Sequence, residues 1–205
     1  MHGYTDILEL FKYMFELNKP LISKVTTCID CSTVLLDNNI SSSWYSSNLY
    51  PWSDYLKHCN NNNKRPSMQG YMTHSMKISL TRLTKCCIDQ YHTKTVFSKQ
   101  PYILSFLLPD FNRNKHLNNF CFNKSIKIQI DNDTITTLYL KCIIYLGGDH
   151  FTARLFDRNN IVWYYDGLNE NGQCIQEGLF NSFPQTHFLK CNERVPSCVI
   201  YAKNL

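Results

Sequence analysis

The chain has 205 residues, enough for one domain with a sizeable core, and a net charge of +5 without a run of lysine or arginine. A nucleic-acid-binding protein needs clustered basic residues, so this composition argues against nucleic acid as a partner. No apolar stretch reaches the roughly 20 residues that span a bilayer, and the start of the chain lacks the pattern of a signal peptide, so we expect no membrane association and a cytoplasmic or nuclear location.

The ten cysteines could suggest a disulfide framework. Without a secretory signal, reduced thiols and metal ligands are the better interpretation. Most of them, such as Cys142 in an apolar run, are expected to serve as small buried hydrophobes.

The first half of the chain mixes one helix with short extended segments. Apolar residues recur at three- and four-residue intervals over Asp6 to Leu17, which predicts an amphipathic helix. Val25 to Cys28 and Ser32 to Leu36 are predicted strands on either side of a Cys-x-x-Cys pair. Residues 37–65 are polar and rich in asparagine and serine, which predicts a poorly ordered loop or insertion. His74 to Leu83 alternates apolar and polar residues, as a strand does.

The second half reads as a succession of strands. They are predicted at Tyr102–Leu108, Ser125–Ile130, Ile135–Leu146, Phe151–Phe156, Ile161–Tyr165, His187–Lys190 and Cys198–Ala202. A helical start followed by a mostly antiparallel sheet predicts an α+β fold.

The most informative segment runs from Tyr145 to Asp166. A Gly-Gly turn precedes His150, a strand and a polar turn follow, and an aromatic strand then delivers Asp166. Two antiparallel strands joined by a tight turn bring the start of the first beside the end of the second. The imidazole of His150 is therefore predicted within reach of the Asp166 carboxylate, as a base and its orienting acid are held in a nucleophilic triad. No nucleophile is obvious in the chain.

These residues resemble the C-terminal part of the ubiquitin-specific proteases. That family carries a Gly-His-aromatic box, an aromatic strand ending in Asp or Asn, and a closing strand with a tyrosine. Here the box reads Gly148-Asp149-His150-Phe151, the aromatic step reads Tyr165-Asp166, and the closing strand centres on Tyr201. Asp149 stands where the family usually has a second glycine.

The resemblance extends upstream and covers nearly the whole chain. The helix at Asp6–Leu17 is similar to the one before the family's zinc-bearing fingers, TTCIDCSTVLL to the first zinc knuckle, and QPYILSFLLPDF to the strand after the second. The resemblance implies a partial domain over residues 1–205: a finger-like region at 23–100 with the insertion at 37–65, then an antiparallel sheet at 101–205 that carries the His/Asp box. The implied fold is the C-terminal portion of a papain-like cysteine peptidase.

The same resemblance implies the roles of the site residues. His150 is the implied general base and Asp166 its orienting acid. Gly147, Gly148, Asp149 and Phe151 are the implied contacts of a substrate tail, and the glycines would let backbone pass close to it. The implied partner is ubiquitin or a ubiquitin-like protein, cleaved by thiol acyl transfer at an extended Gly-Gly tail.

Two departures from the family bear on activity. Its cysteine box, a Gly/Asn-rich turn leading to Cys at a helix start, lies well upstream of these elements, and nothing before Asp6 could hold it. We therefore expect the nucleophile to be missing and the chain alone to have little or no hydrolase activity. The second zinc knuckle is degraded as well, because Cys86-Cys87 and then His92 replace Cys-x-x-Cys.

Cys28 and Cys31 admit three interpretations. A Cys-x-x-Cys at a hairpin tip suits one structural Zn²⁺, with Cys86 or Cys87 together with His92 as the other ligands. An empty finger with free thiols is the second. The third makes Cys28 the nucleophile of a divergent SUMO- or ubiquitin-like peptidase, although an extended segment precedes Cys28 where a glycine turn is expected.

Functions of other classes also stay open. One is a non-catalytic module that binds a ubiquitin-like protein and has kept the fold after losing the cysteine box. Another, a zinc-binding transcription- or transposon-related protein, requires a basic face that the sequence does not display.

Overall fold

The computed structural model describes residues 22–29, 31–32, 34–37, 52–76, 79–81, 91–97, 100–130, 134–169 and 172–204. These residues belong to two compact units. The first unit comprises the described residues within 1–44, 76–102 and 129–134, and the second those within 45–75, 103–128 and 135–205. The predicted helix at 6–17 lies outside the described residues.

The first unit contains a four-stranded antiparallel sheet. Its strands are β1 (Ile22–Cys28), β2 (Val34–Asp37), β3 (Ser79–Thr81) and β4 (Tyr91–Phe97), in the order β2-β1-β4-β3. β1 pairs with β4 along its whole length, because Ile22 lies opposite Phe97 and Cys28 opposite Tyr91. β1 and β2 match the two predicted strands apart from their ends.

Two helices in the second unit correct the sequence prediction. α1 (Trp52–Asn61) lies within the segment predicted as a loop at 37–65, and α2 (Met68–Ser75) overlaps the start of the strand predicted at 74–83. The buried side chains of α1 are Tyr55, Leu56 and Cys59, at the spacing of one helical face. That stripe is only three residues long, and the helix ends in two asparagines, which are weak helix formers. The short apolar stripe and the asparagines explain why the sequence did not predict this helix.

Aromatic contacts fix α1 and α2 to the sheet of the second unit. The ring of Trp52 stacks on that of Tyr71 with 3.7 Å between centroids. The indole N–H of Trp52 also donates to the carbonyl of Leu107, at 2.8 Å. Tyr71 is fully buried, so the stack belongs to the core.

The sheet of the second unit has seven strands. They are β5 (Ile103–Leu107), β6 (Ser125–Gln129), β7 (Ile135–Gly147), β8 (His150–Phe156), β9 (Ile161–Tyr165), β10 (Cys174–Leu179) and β11 (Val195–Ala202). The order is β10-β9-β8-β7-β11-β5 with antiparallel neighbours, and β6 pairs with β7. The α+β prediction is therefore confirmed for the described residues.

Two details of the sheet differ from the sequence prediction. β10 is absent from the predicted strands, because its side chains are mostly exposed and show no apolar alternation. The predicted strand at His187–Lys190 is instead part of a 3₁₀ turn over Gln185–Leu189. The turn starts after Pro184, whose carbonyl accepts from the His187 N–H at 2.9 Å.

The core lies on one face of the long strand β7 and its neighbours. Leu138, Ile143 and Tyr145 of β7 are fully buried, as is Tyr201 of β11. Burying one such large apolar side chain contributes about 1.5–3 kcal/mol. The hydroxyl of Tyr201 donates to the carbonyl of Asn123 at 2.8 Å, so this tyrosine of the closing strand is a packing residue. Within the described ranges, no helix is both long and apolar enough to cross a membrane.

Candidate active site

A two-residue turn places His150 at the head of β8. Gly147 and His150 are paired across the hairpin, so only Gly148 and Asp149 form the loop. Their φ angles are 60° and 57°, and a type I′ turn requires positive φ at both positions. Aspartate tolerates this left-handed conformation better than most residues do. That tolerance explains how Asp149 can stand where a second glycine was expected.

Strand β9 brings Asp166 to the same place. Ala153 of β8 pairs with Tyr165, the last residue of β9, and Asp166 follows directly. Nε2 of His150 lies 2.6 Å from Oδ1 of Asp166. The His150 side chain is 19% exposed and that of Asp166 only 1%. The structure thus brings together the two side chains that the sequence predicted to be neighbours.

The Asp166 carboxylate accepts four hydrogen bonds. Oδ1 accepts from His150 and, at 3.0 Å, from the backbone N–H of Leu168. Oδ2 accepts from the amide of Asn169 at 2.9 Å and from the hydroxyl of Tyr164 at 3.1 Å. Burial favours the neutral acid and raises the pKa of Asp166, but these hydrogen bonds outweigh it, and the pKa lies well below its usual range.

This donor set also decides which nitrogen of His150 carries the proton. The Leu168 N–H and the Asn169 amide can only donate, so both carboxylate oxygens must act as acceptors. Because the pKa of Asp166 is also lowered, its carboxylate is ionised, so the proton shared with His150 is assigned to Nε2, and in the neutral imidazole the lone pair is on Nδ1. Among the described residues, no thiol hydrogen-bonds to His150.

A second tight turn, formed by residues 191–194, contacts the residues beside both members of the His150–Asp166 pair. Cys191 and Arg194 exchange two backbone hydrogen bonds of 2.9 Å, and the residues between them, Asn192 and Glu193, have φ of 45° and 61°. The side-chain amide of Asn192 donates to the Tyr164 hydroxyl at 3.3 Å. The turn is therefore linked to Asp166 through Tyr164. This link was missed at the sequence level, because Asn192 lies 26 positions beyond Asp166 with no motif around it.

Arg194 of this turn also accounts for Gly147. A Cβ on Gly147 would lie 3.2 Å from the Arg194 Cα and 3.1 Å from its Cγ. Gly147 was predicted to leave room for a substrate tail; on the side where a Cβ would lie, Arg194 occupies the space. Gly148 differs, since a Cβ there would meet no atom within 4 Å.

The other predicted substrate contacts lie at the surface beside His150. Asp149 is exposed, and Phe151 is 38% exposed. Phe151 pairs across the hairpin with Leu146, which is 39% exposed. Phe151 and Leu146 therefore form an exposed apolar pair beside the turn, on the face of the hairpin opposite to that of the paired Gly147 and His150.

A buried ion pair holds the chain that leads into the second turn. The guanidinium of Arg154, 5% exposed, makes two hydrogen bonds to the Glu177 carboxylate, at 2.7 and 3.1 Å. Its Nη1 also donates to the carbonyls of His187 and Lys190, at 2.7 and 3.0 Å. Because a bidentate pair of this kind is geometrically specific, it fixes the segment immediately before Cys191.

The predicted zinc ligands are only partly described. Cys28 ends β1 and is buried, Cys31 is exposed, and the Ser32 N–H donates to the Cys28 carbonyl at 3.1 Å, closing the knuckle. Cys86 and Cys87 lie outside the described residues. Among those that are described, no three His, Cys, Asp or Glu side chains form a metal-binding group.

His92 does not fit the predicted ligand set. It pairs with Thr27, whereas Cys28 pairs with Tyr91. Successive side chains of a strand point to opposite faces, so His92 and Cys28 lie on opposite faces of this sheet. This register does not bring His92 and Cys28 together on one face, as a shared metal ion would require.

Comparison with known proteins gives a likeness in structure without one in sequence. No protein-family model and no curated protein matches the sequence. A chain in a structure of the yeast SAGA DUB module with mutant Sgf73 has a TM-score of 0.52 and 10% identity, covering 91% of this chain and 41% of that one. A chain of the SAGA DUB module of Ubp8, Sgf11, Sus1 and Sgf73 bound to monoubiquitin has a TM-score of 0.51 and 9% identity, covering 90% and 40%.

The likeness shows the fold. The chain has an α+β fold similar to that of a chain in the SAGA DUB module, and it spans about two fifths of the chains it matches.

Proposed function

We propose that this chain is the histidine- and aspartate-bearing part of a ubiquitin-specific-protease-like cysteine peptidase that acts on ubiquitin or a ubiquitin-like protein. The observation that carries the proposal is the 2.6 Å contact between Nε2 of His150 and Oδ1 of Asp166. The fold supports it, because one of the similar structures is a DUB module bound to monoubiquitin. Reduced thiols and this partner suit a cytoplasmic or nuclear location.

The chemistry follows from the donor pattern at Asp166. A thiol becomes a strong nucleophile when an adjacent base takes its proton. Nδ1 of His150 carries the free lone pair and would accept that proton, while the ionised Asp166 stabilises the resulting imidazolium. The thiolate would attack the carbonyl carbon at the end of the Gly-Gly tail, and His150 would return the proton to the leaving amine.

The proposal assigns the nucleophilic thiol to sequence other than this chain. Cys28, the alternative nucleophile, ends a strand and is 1% exposed. Nucleophilic cysteines are instead partly exposed and often lie at helix starts, where the thiolate is stabilised. The chain by itself is accordingly expected to bind its partner and to hydrolyse little or nothing.

A second candidate is a non-catalytic module that binds ubiquitin or a ubiquitin-like protein. The observation that favours it is that no thiol hydrogen-bonds to His150 among the described residues. In this version the exposed residues Gly148, Asp149 and Phe151 contact the partner's tail, and His150 serves only as a polar contact.

A structural Zn²⁺ is part of the proposal for the first unit. The closed turn between Cys28 and Ser32 matches the knuckle that places two sulfurs on one ion. Cys86 and Cys87 would supply the other two sulfurs, and the ion would stabilise the fold without taking part in hydrolysis.

Two experiments on the full chain test these functions together and show whether Cys28 is a nucleophile. Titration of ¹⁵N-labelled ubiquitin with the chain tests binding, and Phe151→Ala should weaken binding while leaving folding intact. A ubiquitin propargyl probe tests for a nucleophile, and no covalent labelling is expected. Labelling that disappears in Cys28→Ala would identify Cys28 as the nucleophile, and the absence of binding to ubiquitin and to SUMO would refute both candidates.

A further inference from the structure

A basic cavity lies in the second unit, away from the residues of the candidate active site. It has a volume of about 570 Å³ and lies between the end of α1 and the short 3₁₀ helix Lys115–Leu117. Its lining includes Lys64 and Arg65 from one side and Lys115 and His116 from the other. The two pairs are about 50 residues apart in the chain, so folding gathers charges that look scattered along the sequence.

Among the described residues that line this cavity, none carries a carboxylate. The segments that form it, residues 52–76 and 103–128, contain seven lysines and arginines but only two acidic residues, Asp54 and Asp110. Asp110 is paired with Arg113 at 3.2 Å. Within the described part of the chain, the ion pairs include none made by Lys64, Arg65 or Lys115. Three positive charges therefore share one concave site, and no described residue supplies a counter-charge there.

The cavity walls are joined before any ligand binds. Nε of Arg65 donates to the Asn119 carbonyl at 2.6 Å, which ties the guanidinium to the opposite wall. Next to it, the Cys121 N–H donates to the Pro66 carbonyl at 2.9 Å. Buried Leu56 and Cys59 also line the cavity, on the side of α1. These contacts position Arg65 and the backbone of both walls before binding, which lowers that part of the ordering cost.

We propose that this cavity binds a phosphate-bearing anion. Concave sites lined by one sign of charge concentrate counter-ions, and guanidinium and ammonium groups form strong charge-assisted hydrogen bonds to phosphate oxygens. The side chains of Asn60, Asn63 and Asn119 at the cavity add neutral donors. The volume is that of a site for a small molecule or a single phosphorylated side chain. The proposal does not depend on the function proposed for His150 and Asp166.

The direct test is calorimetric titration of the full chain with pyrophosphate. The double variant Lys64→Gln/Lys115→Gln removes two of the charges and leaves the Arg65 contact intact. Lys57→Gln/Lys127→Gln is the matched control, since both lysines are exposed, lie in the same segments and do not line the cavity. We expect the first variant to weaken binding roughly tenfold or more and the control to change it less than about twofold. Equal losses in the two variants, or no pyrophosphate binding to the wild type, would overturn the proposal.

A second set of titrations identifies the source of the phosphate. The probes are pyrophosphate, a phosphoserine peptide and the same peptide with glutamate in place of phosphoserine. Tighter binding of the phosphoserine peptide assigns the site to a phosphorylated protein, and tighter binding of pyrophosphate assigns it to a small phosphorylated molecule. A glutamate peptide that binds as tightly as either would contradict selectivity for phosphate.

Discussion

The hydroxyl of Tyr164 lies 3.1 Å from Oδ2 of Asp166, the carboxylate whose other oxygen meets His150. Burial, together with the hydrogen bond to Asp166, raises the pKa of Tyr164, so its hydroxyl stays protonated and donates. The amide of Asn192 donates to the same hydroxyl oxygen. A chain of hydrogen bonds thus runs from Asn192 through Tyr164 to Asp166, and it holds the carboxylate on which the orientation of His150 depends.

Replacing Tyr164 tests this chain. Tyr164→Phe removes one donor from Asp166 and should raise the pKa of that carboxyl group and lower the free energy of unfolding by about 1 kcal/mol. Carboxyl ¹³C titration and urea unfolding measure the two effects. Tyr165→Phe is the control, because Tyr165 is its neighbour in β9 and is 38% exposed. Equal effects of the two substitutions would show that the Tyr164 hydroxyl does not support Asp166.

The pH dependence of stability follows from Asp166. Its pKa in the folded protein lies below its value in the unfolded chain. The ionised carboxylate therefore contributes stability that is complete above the unfolded pKa of about 3.9 and is lost as the pH falls through the lower folded pKa. The difference in unfolding free energy between the wild type and Asp166→Asn should be largest above about pH 5 and shrink below about pH 4. Asp149→Asn controls for the loss of one surface carboxylate, and a difference independent of pH would contradict the account.

The two glycines of the hairpin should respond to substitution for different reasons. Gly147→Ala forces a Cβ against the Arg194 backbone and should cost about 1–3 kcal/mol by overpacking. Gly148→Ala meets open space, but its φ of 60° should cost about 1–2 kcal/mol in a residue with a Cβ. Asparagine tolerates this φ, so Gly148→Asn should recover part of that loss while Gly147→Asn should not. Unfolding measurements on the four variants decide, and a full recovery at Gly147 would rule out the clash.

The zinc proposal predicts about one zinc ion per chain after purification without chelator, because a structural site uses four protein ligands for each ion. Cys31→Ser should remove the ion and lower the thermal stability of the first unit. Cys174→Ser is the matched control, because Cys174 is also exposed but belongs to the second unit. Metal analysis that finds no zinc in the wild type, or equal zinc in both variants, would exclude the site.

The central part of the fold was predictable because its signals are local. Ile161 to Tyr165 is bounded by turn residues on both sides, and the observed β9 has the predicted limits. The contact between His150 and Asp166 followed from the geometry of a hairpin, in which the ends of neighbouring strands must meet. Helix α1 was not predicted because its apolar face is three residues long and its last two residues are asparagine.

Features that depend on distant residues could not be predicted from the sequence. Nothing local to Gly147 indicates Arg194, and nothing near Asp166 indicates Asn192. The two walls of the basic cavity likewise come from segments far apart in the sequence, which contact each other where Arg65 donates to the Asn119 carbonyl. The face on which His92 lies depends on the register between β1 and β4, which a motif search does not supply.

The tautomer of His150 tests the central claim most directly. Long-range ¹H–¹⁵N correlation spectra of the chain, recorded above the pH at which the imidazole is protonated, report which ring nitrogen carries hydrogen. We predict hydrogen on Nε2 and a bare Nδ1 in the wild type, with this preference weakened in Asp166→Asn. A wild-type spectrum with hydrogen on Nδ1 would contradict the assignment of His150 as a base oriented by Asp166.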